Sequence, residues 1–137
     1  MRSTKALFGF LLAVVGWTLI FFALVGWWAV NSPSERAAGP TGLIAGELVQ
    51  AAPTLVYFFV VGLLFGRVLG PRAGTTWALL AAVAAMSIHA LLTRQDFHGG
   101  FDSLTVTLLA IEHGLPLILA VAGAATSRLW RSTSSER

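Results

Sequence analysis

The sequence predicts an all-α integral membrane protein: four transmembrane helices in an antiparallel bundle, with both termini in the cytoplasm. Three observations lead there. Of 137 residues, 56% are hydrophobic and only 11% are charged, where a soluble domain carries about 25% charged residues. Four stretches reach the ~20 predominantly apolar residues that a helix needs to cross a bilayer. None of them alternates as a transmembrane strand would. Finally, Lys and Arg collect on one side of those stretches.

The first stretch covers residues 6–30 and contains no charge. Arg2 and Lys5 ahead of it could be taken for the start of a signal peptide, but the run far exceeds the roughly 7–15 apolar residues of a cleaved leader. It ends in Trp27-Trp28, which suit a membrane interface, and Asn31-Ser32-Pro33 stops it. The second stretch, residues 43–66, is interrupted by Glu47 and Pro53, with Thr41 placed to cap it. The third, residues 75–93, is rich in Ala and begins with Thr75 or Thr76 as cap. Residues 67–74 link these two, with a turn at Gly70-Pro71. The fourth, residues 103–127, holds Glu112, His113 and Pro116, and Asp102 or Ser103 can cap it. Short connections make consecutive helices antiparallel neighbours. Residues 1–131 thus form one transmembrane domain. Residues 132–137 read as a polar, disordered tail.

Orientation follows from the basic residues. Arg2, Lys5, Arg67, Arg72, Arg128, Arg131 and Arg137 fall on one side of a four-span chain. Arg36 and Arg94 fall on the other, accompanied by Glu35, Asp96 and Asp102. The positive-inside bias places the richer side in the cytoplasm, which fits a bacterial inner (plasma) membrane. The net charge of +3 comes from these scattered residues, so it reads as membrane anchoring. A nucleic-acid binder would instead show a basic face with interleaved aromatics. Absence of Cys excludes disulfides, thiolate nucleophiles, Fe–S clusters and Cys-bound zinc.

Two features go beyond spanning. Gly62, Gly66 and Gly70 recur every four residues and form a small-residue face at the end of the second helix. Such a face lets helix backbones approach closely, either within the chain or in a homo-oligomer. The other feature is a set of ionisable residues at membrane depth: Glu47 on the second helix, His89 on the third, Glu112 and His113 on the fourth. At 1.5 Å per residue they lie roughly 7, 6 and 14 Å from the outer ends of their helices. A charged residue at mid-membrane costs roughly 2.5–3.5 kcal/mol on insertion scales, so these groups need partners or a task. Neighbouring residues of an α-helix diverge by about 100°, so Glu112 and His113 are expected to point apart. Stripes formed by Glu47, Gln50 and Thr54, and by Met86, His89 and Thr93, are expected to face inward.

Four roles are open to this cluster: a structural hydrogen-bond network, a proton or cation site, a transition-metal site of imidazole and carboxylate ligands, or a bis-histidine haem. His98, Asp96 and Asp102 could extend it as an entry relay. The sequence names no cofactor. No GxSxG, HExxH or GK[ST] loop occurs, so hydrolase and phosphate-loop chemistry find no support. The reading that follows is a non-enzymatic accessory or structural subunit of a membrane complex, or a homo-oligomer, whose partners are the lipid bilayer and other membrane subunits. A proton- or cation-coupled transporter or channel, and a metal- or haem-binding redox subunit, are the alternatives.

The topology is directly testable, because the chain has no native thiol. A single cysteine at Ser134 should resist a membrane-impermeant maleimide in intact cells and react fully after lysis. Labelling in intact cells would reverse the orientation.

Overall fold

The computed structural model describes residues 2–31, 40–93 and 103–134, and every described element is helical. We label them α1 (Arg2–Asn31), α2 (Pro40–Leu69), α3 (Pro71–Thr93), α4 (Ser103–Leu109), a π-helical turn (Ala110–Gly114) and α5 (Leu115–Ser134). Four helical spans are long and apolar enough to cross a membrane: Ser3–Trp27, Ile44–Leu69, Pro71–Leu92 and Ser103–Ser127, the last running through the π turn. This is a small four-span membrane protein. The expectations placed on Ser32, Pro33, Glu35, Arg36, Arg94, Asp96, His98, Asp102 and Arg137 lie outside the described residues. So do the side-chain positions expected of Trp28, Thr41 and Thr93.

The link between α2 and α3 is shorter than the sequence led us to expect. Instead of eight connecting residues there is only Gly70. Its φ of 89° is a left-handed conformation that glycine adopts without a Cβ penalty. Gly70 N–H donates to Gly66 O at 3.1 Å and closes α2, while Gly70 O accepts from Gly74 N at 2.7 Å and opens α3. Pro71 supplies the first residue of α3, where its missing N–H costs nothing. Thr75 and Thr76 therefore do not cap α3. They lie inside it, and their hydroxyls donate to Pro71 O (2.7 Å) and Arg72 O (3.2 Å). At the other end of the chain α5 continues to Ser134, into the segment expected to be a tail.

Packing rests on small residues. Backbone carbonyls and amides of α5 meet α2 where neither helix has a side chain to hold them apart. A Cβ on Gly62 would collide with the Ala120 carbonyl, and one on Gly66 with the Ser127 hydroxyl and Ala124 O. One on Gly123 would collide with Phe59 O. Residues 62 and 66 thus face 120 and 124–127 in the same order, so α2 and α5 run in one direction where they touch. The glycine face is spent inside the chain. Gly70 does not extend it: nothing lies within 4 Å of its would-be Cβ, because it belongs to the turn. Ala78, Ala81, Ala82 and Ala85 of α3 and Ala120 and Ala124 of α5 are fully buried. In lipid there is no hydrophobic drive between helices, so contacts of this closeness, rather than apolar burial, hold the spans together.

The first helix joins through aromatics. Tyr57 of α2 reaches over Gly16 and donates its hydroxyl to Ala13 O at 2.6 Å. Trp17 is buried against Phe58 and stacks on Phe21, with centroids 6.4 and 5.3 Å apart. Phe10 meets Trp77 of α3 edge-on. Outward positions such as Phe8, Leu19, Val56, Leu64, Val68 and Ile118 are exposed, as a lipid-facing surface requires.

Gly62→Ala and Gly123→Ala should each lower stability in detergent by about 1–3 kcal/mol, the usual cost of an overpacked contact. Gly46→Ala is the control, since nothing lies within 4 Å of its would-be Cβ. Thermal unfolding monitored by tryptophan fluorescence reads the difference. Equal midpoints for all three would place the glycine face away from α5.

Candidate functional site

The site is assembled where the fourth span stops being an α-helix. Proline at 116 has no N–H, and in an α-helix its ring would press on the carbonyl of Glu112, four residues back. The chain relieves this by admitting an extra residue into the preceding turn. Leu115 N–H donates to Ala110 O, five residues back, across Ala110–Gly114. Pro116 itself is fully buried. The wider turn changes the angular step between residues, so the expected divergence of Glu112 and His113 does not hold. Both side chains turn toward α3.

Glu112 is the centre of the arrangement. Its Oε1 is in direct hydrogen-bond contact with His89 Nε2 of α3. Its Oε2 lies 3.7 Å from His113 Nδ1. One carboxylate therefore addresses two imidazoles, one oxygen to each. The rings of His89 and His113 meet edge to face, with centroids 5.3 Å apart and planes at 88°. One ligand atom from each of His89, Glu112 and His113 lies within 4.8 Å of the others. The depth mismatch estimated from residue counts has vanished. As placed, the two rings meet edge to face and do not bracket a plane between them.

Glu47 completes the set from α2. It lines a cavity of about 410 Å³ together with Gln50, Thr54, Met86, His89, Glu112 and, from α1, Phe21, Leu24 and Val25. Every lining residue lies toward the end of the bundle away from the Gly70 turn. The expected inward stripes Glu47–Gln50–Thr54 and Met86–His89 thus share one space. His113 is not among the lining residues; Glu112 stands between the cavity and the second imidazole.

Aromatic groups from α1 enclose His89. Phe21 contacts its ring at 4.9 Å and Trp17 at 5.6 Å. The sequence reading missed this wall. A signal was present: Trp17 falls at mid-span, whereas membrane tryptophans prefer the interface. The indole nitrogen of Trp17 and both ring nitrogens of His113 are buried and have no hydrogen-bond partner among the described residues.

No protein-family model matches the chain, and neither a curated protein nor a solved structure matches it. The functional reading therefore stands on the site.

Glu112→Ala should cost about 1–3 kcal/mol, because His89 keeps its burial and loses an acceptor. His89→Ala should cost a similar amount, and the double variant little more than either alone. Unfolding of the four proteins in mild detergent completes the cycle. Strict additivity would show that the pair contributes no coupling.

Proposed function

We propose that the chain is a non-enzymatic subunit of a bacterial plasma membrane assembly, or a homo-oligomer, that holds a proton or another cation at Glu47, His89, Glu112 and His113. The four spans alternate in direction, both termini are cytoplasmic, and the cavity lies in the outer half of the bilayer. The observation that carries the reading is the Glu112 carboxylate shared between two imidazoles on the wall of a cavity that Glu47 also lines. Carboxylate and imidazole are the groups through which membrane proteins move or keep protons and cations, and at this depth they are costly without a task.

The arrangement favours a one-sided site over a conduction pathway. Polar residues converge at one end of the bundle, whereas the other end is closed by Gly62, Gly66, Gly74 and Gly123 packed on neighbouring backbone or side chains. A pore would need polar groups along whole helices. The outward apolar positions of α1, including Leu7, Leu11, Val15 and Phe22, are open to lipid or to another subunit. The glycine face is unavailable for that purpose because α5 occupies it.

Glu112→Gln and Glu47→Gln keep hydrogen-bonding capacity and remove the titrating carboxyl. After an external pH step, vesicles carrying the wild-type protein should show uptake or release of protons that the Glu112→Gln vesicles lack. Both proteins should remain equally monodisperse. Identical exchange in wild type and variant would leave the cluster as a structural network only.

A further inference from the structure

We infer that His89, Glu112 and His113 form a binding site for a divalent first-row transition cation of the zinc class. The inference rests on the cation-site reading above and names the cation. Three ligand atoms of the right chemistry, two imidazole nitrogens and a carboxylate oxygen, already lie within 4.8 Å of one another. Zinc bonds to such atoms are about 2.0–2.2 Å long, so the three donors need only a small contraction and rotation to meet one ion. The donor set itself argues the class. Two nitrogens and one oxygen suit zinc, cobalt or copper, whereas magnesium and calcium take oxygen ligands almost alone.

A second observation is independent of proximity. Both ring nitrogens of His113 are buried without a hydrogen-bond partner among the described residues. A neutral imidazole has one donor and one lone pair. With no hydrogen-bond partner for either nitrogen among the described residues, and the Glu112 carboxylate 3.7 Å from Nδ1, the lone pair is available to a Lewis acid. A structural network would have satisfied that ring; a metal site leaves a nitrogen for the ion.

The cavity supplies what three protein ligands lack. Zinc is four-coordinate, and a site with three protein donors keeps its fourth position for water or an exogenous ligand. Glu112 lines the cavity, so an ion held by its carboxylate borders a space that Glu47 and Gln50 render polar. The cavity is large enough for several waters and has the polar partners that they require. The ion would take the place of the proton shared by His89 Nε2 and Glu112, which moves to His89 Nδ1 or to solvent. Phe21 and Trp17 pack on the His89 ring and restrict its rotation. That lowers the entropy lost when the ligand is fixed.

The test is cobalt loading of the full chain, purified in detergent through a tag without histidine and stripped with EDTA. Wild type should bind one Co²⁺ per chain with visible ligand-field absorption, and Zn²⁺ but not Mg²⁺ should bleach it. His113→Gln and Glu112→Gln should each weaken binding by at least about tenfold. Absence of saturable binding, or a His113→Gln protein that binds as tightly as wild type, overturns the site. Should a variant fail to fold, X-ray absorption at the zinc edge of the wild-type protein decides: two imidazoles in the first shell support the site, and none overturns it. Absence of saturable metal binding, together with proton exchange by wild-type vesicles that is lost in Glu112→Gln, would retain the broader reading and reject this one.

Discussion

Everything in this bundle depends on how closely α2 and α5 can approach. Their contact is backbone against backbone, with Gly62, Gly66 and Gly123 at its centre. In water such a contact would be a minor part of a large apolar core. In lipid, tails solvate Leu and Phe as well as another helix does, so the depth of van der Waals contact decides which faces meet. The contact fixes the rotation and the height of α5 relative to α2. Because α2 and α3 are joined by the single residue Gly70, the same contact also sets α5 against α3. Glu112 reaches His89 only because these three helices are locked in one arrangement.

The site adds a local departure to that frame. A regular α-helix through residues 103–127 would have carried Glu112 and His113 to different sides of the fourth span. Pro116 prevents it, and the π turn is the way in which the chain absorbs a buried proline without leaving a clash at residue 112. Departures of this type are frequent at functional sites because they aim side chains that helical regularity would scatter. Here one turn delivers two ionisable groups to the same imidazole on α3. The buried nitrogens of His113 and the indole of Trp17 have no hydrogen-bond partner among the described residues.

Much of this was legible in the sequence, for a simple reason. Lipid imposes length and apolarity on a span, and both are visible in composition, so the four helices were found where residues 6–30, 43–66, 75–93 and 103–127 had placed them. The α2–α3 link is shorter than the sequence around Gly70-Pro71 suggests, because one glycine with positive φ suffices for the whole reversal. Glu47, His89, Glu112 and His113 stood out because each is expensive at depth. Their mutual geometry did not follow. Counting residues from helix ends assumes straight helices perpendicular to the membrane and a constant step of rotation, and the π turn breaks the second assumption. The aromatic wall from α1 is signalled only by the mid-span position of Trp17, since Phe21 looks like an ordinary member of an apolar run. Gly62 and Gly66 were recognised as a packing face; that the partner is α5 of the same chain depends on Ala120, Gly123 and Ala124, whose spacing is equally small but carries no direction.

The uneven distribution of polar space has an electrical consequence. A transmembrane potential falls mainly where water is absent, and a full crossing is worth about 2.3 kcal/mol per elementary charge per 100 mV. In this bundle the dry section is the glycine-packed end around Gly62, Gly66 and Gly74. In the proposed reading, water in the polar cavity at the other end would bring the bathing solution electrically close to Glu112. In the proposed orientation, an ion travelling from the outer solution to the two imidazoles would cross only a small fraction of the field. Occupancy of the site would then follow the chemical composition outside the cell and be nearly indifferent to the voltage across the membrane.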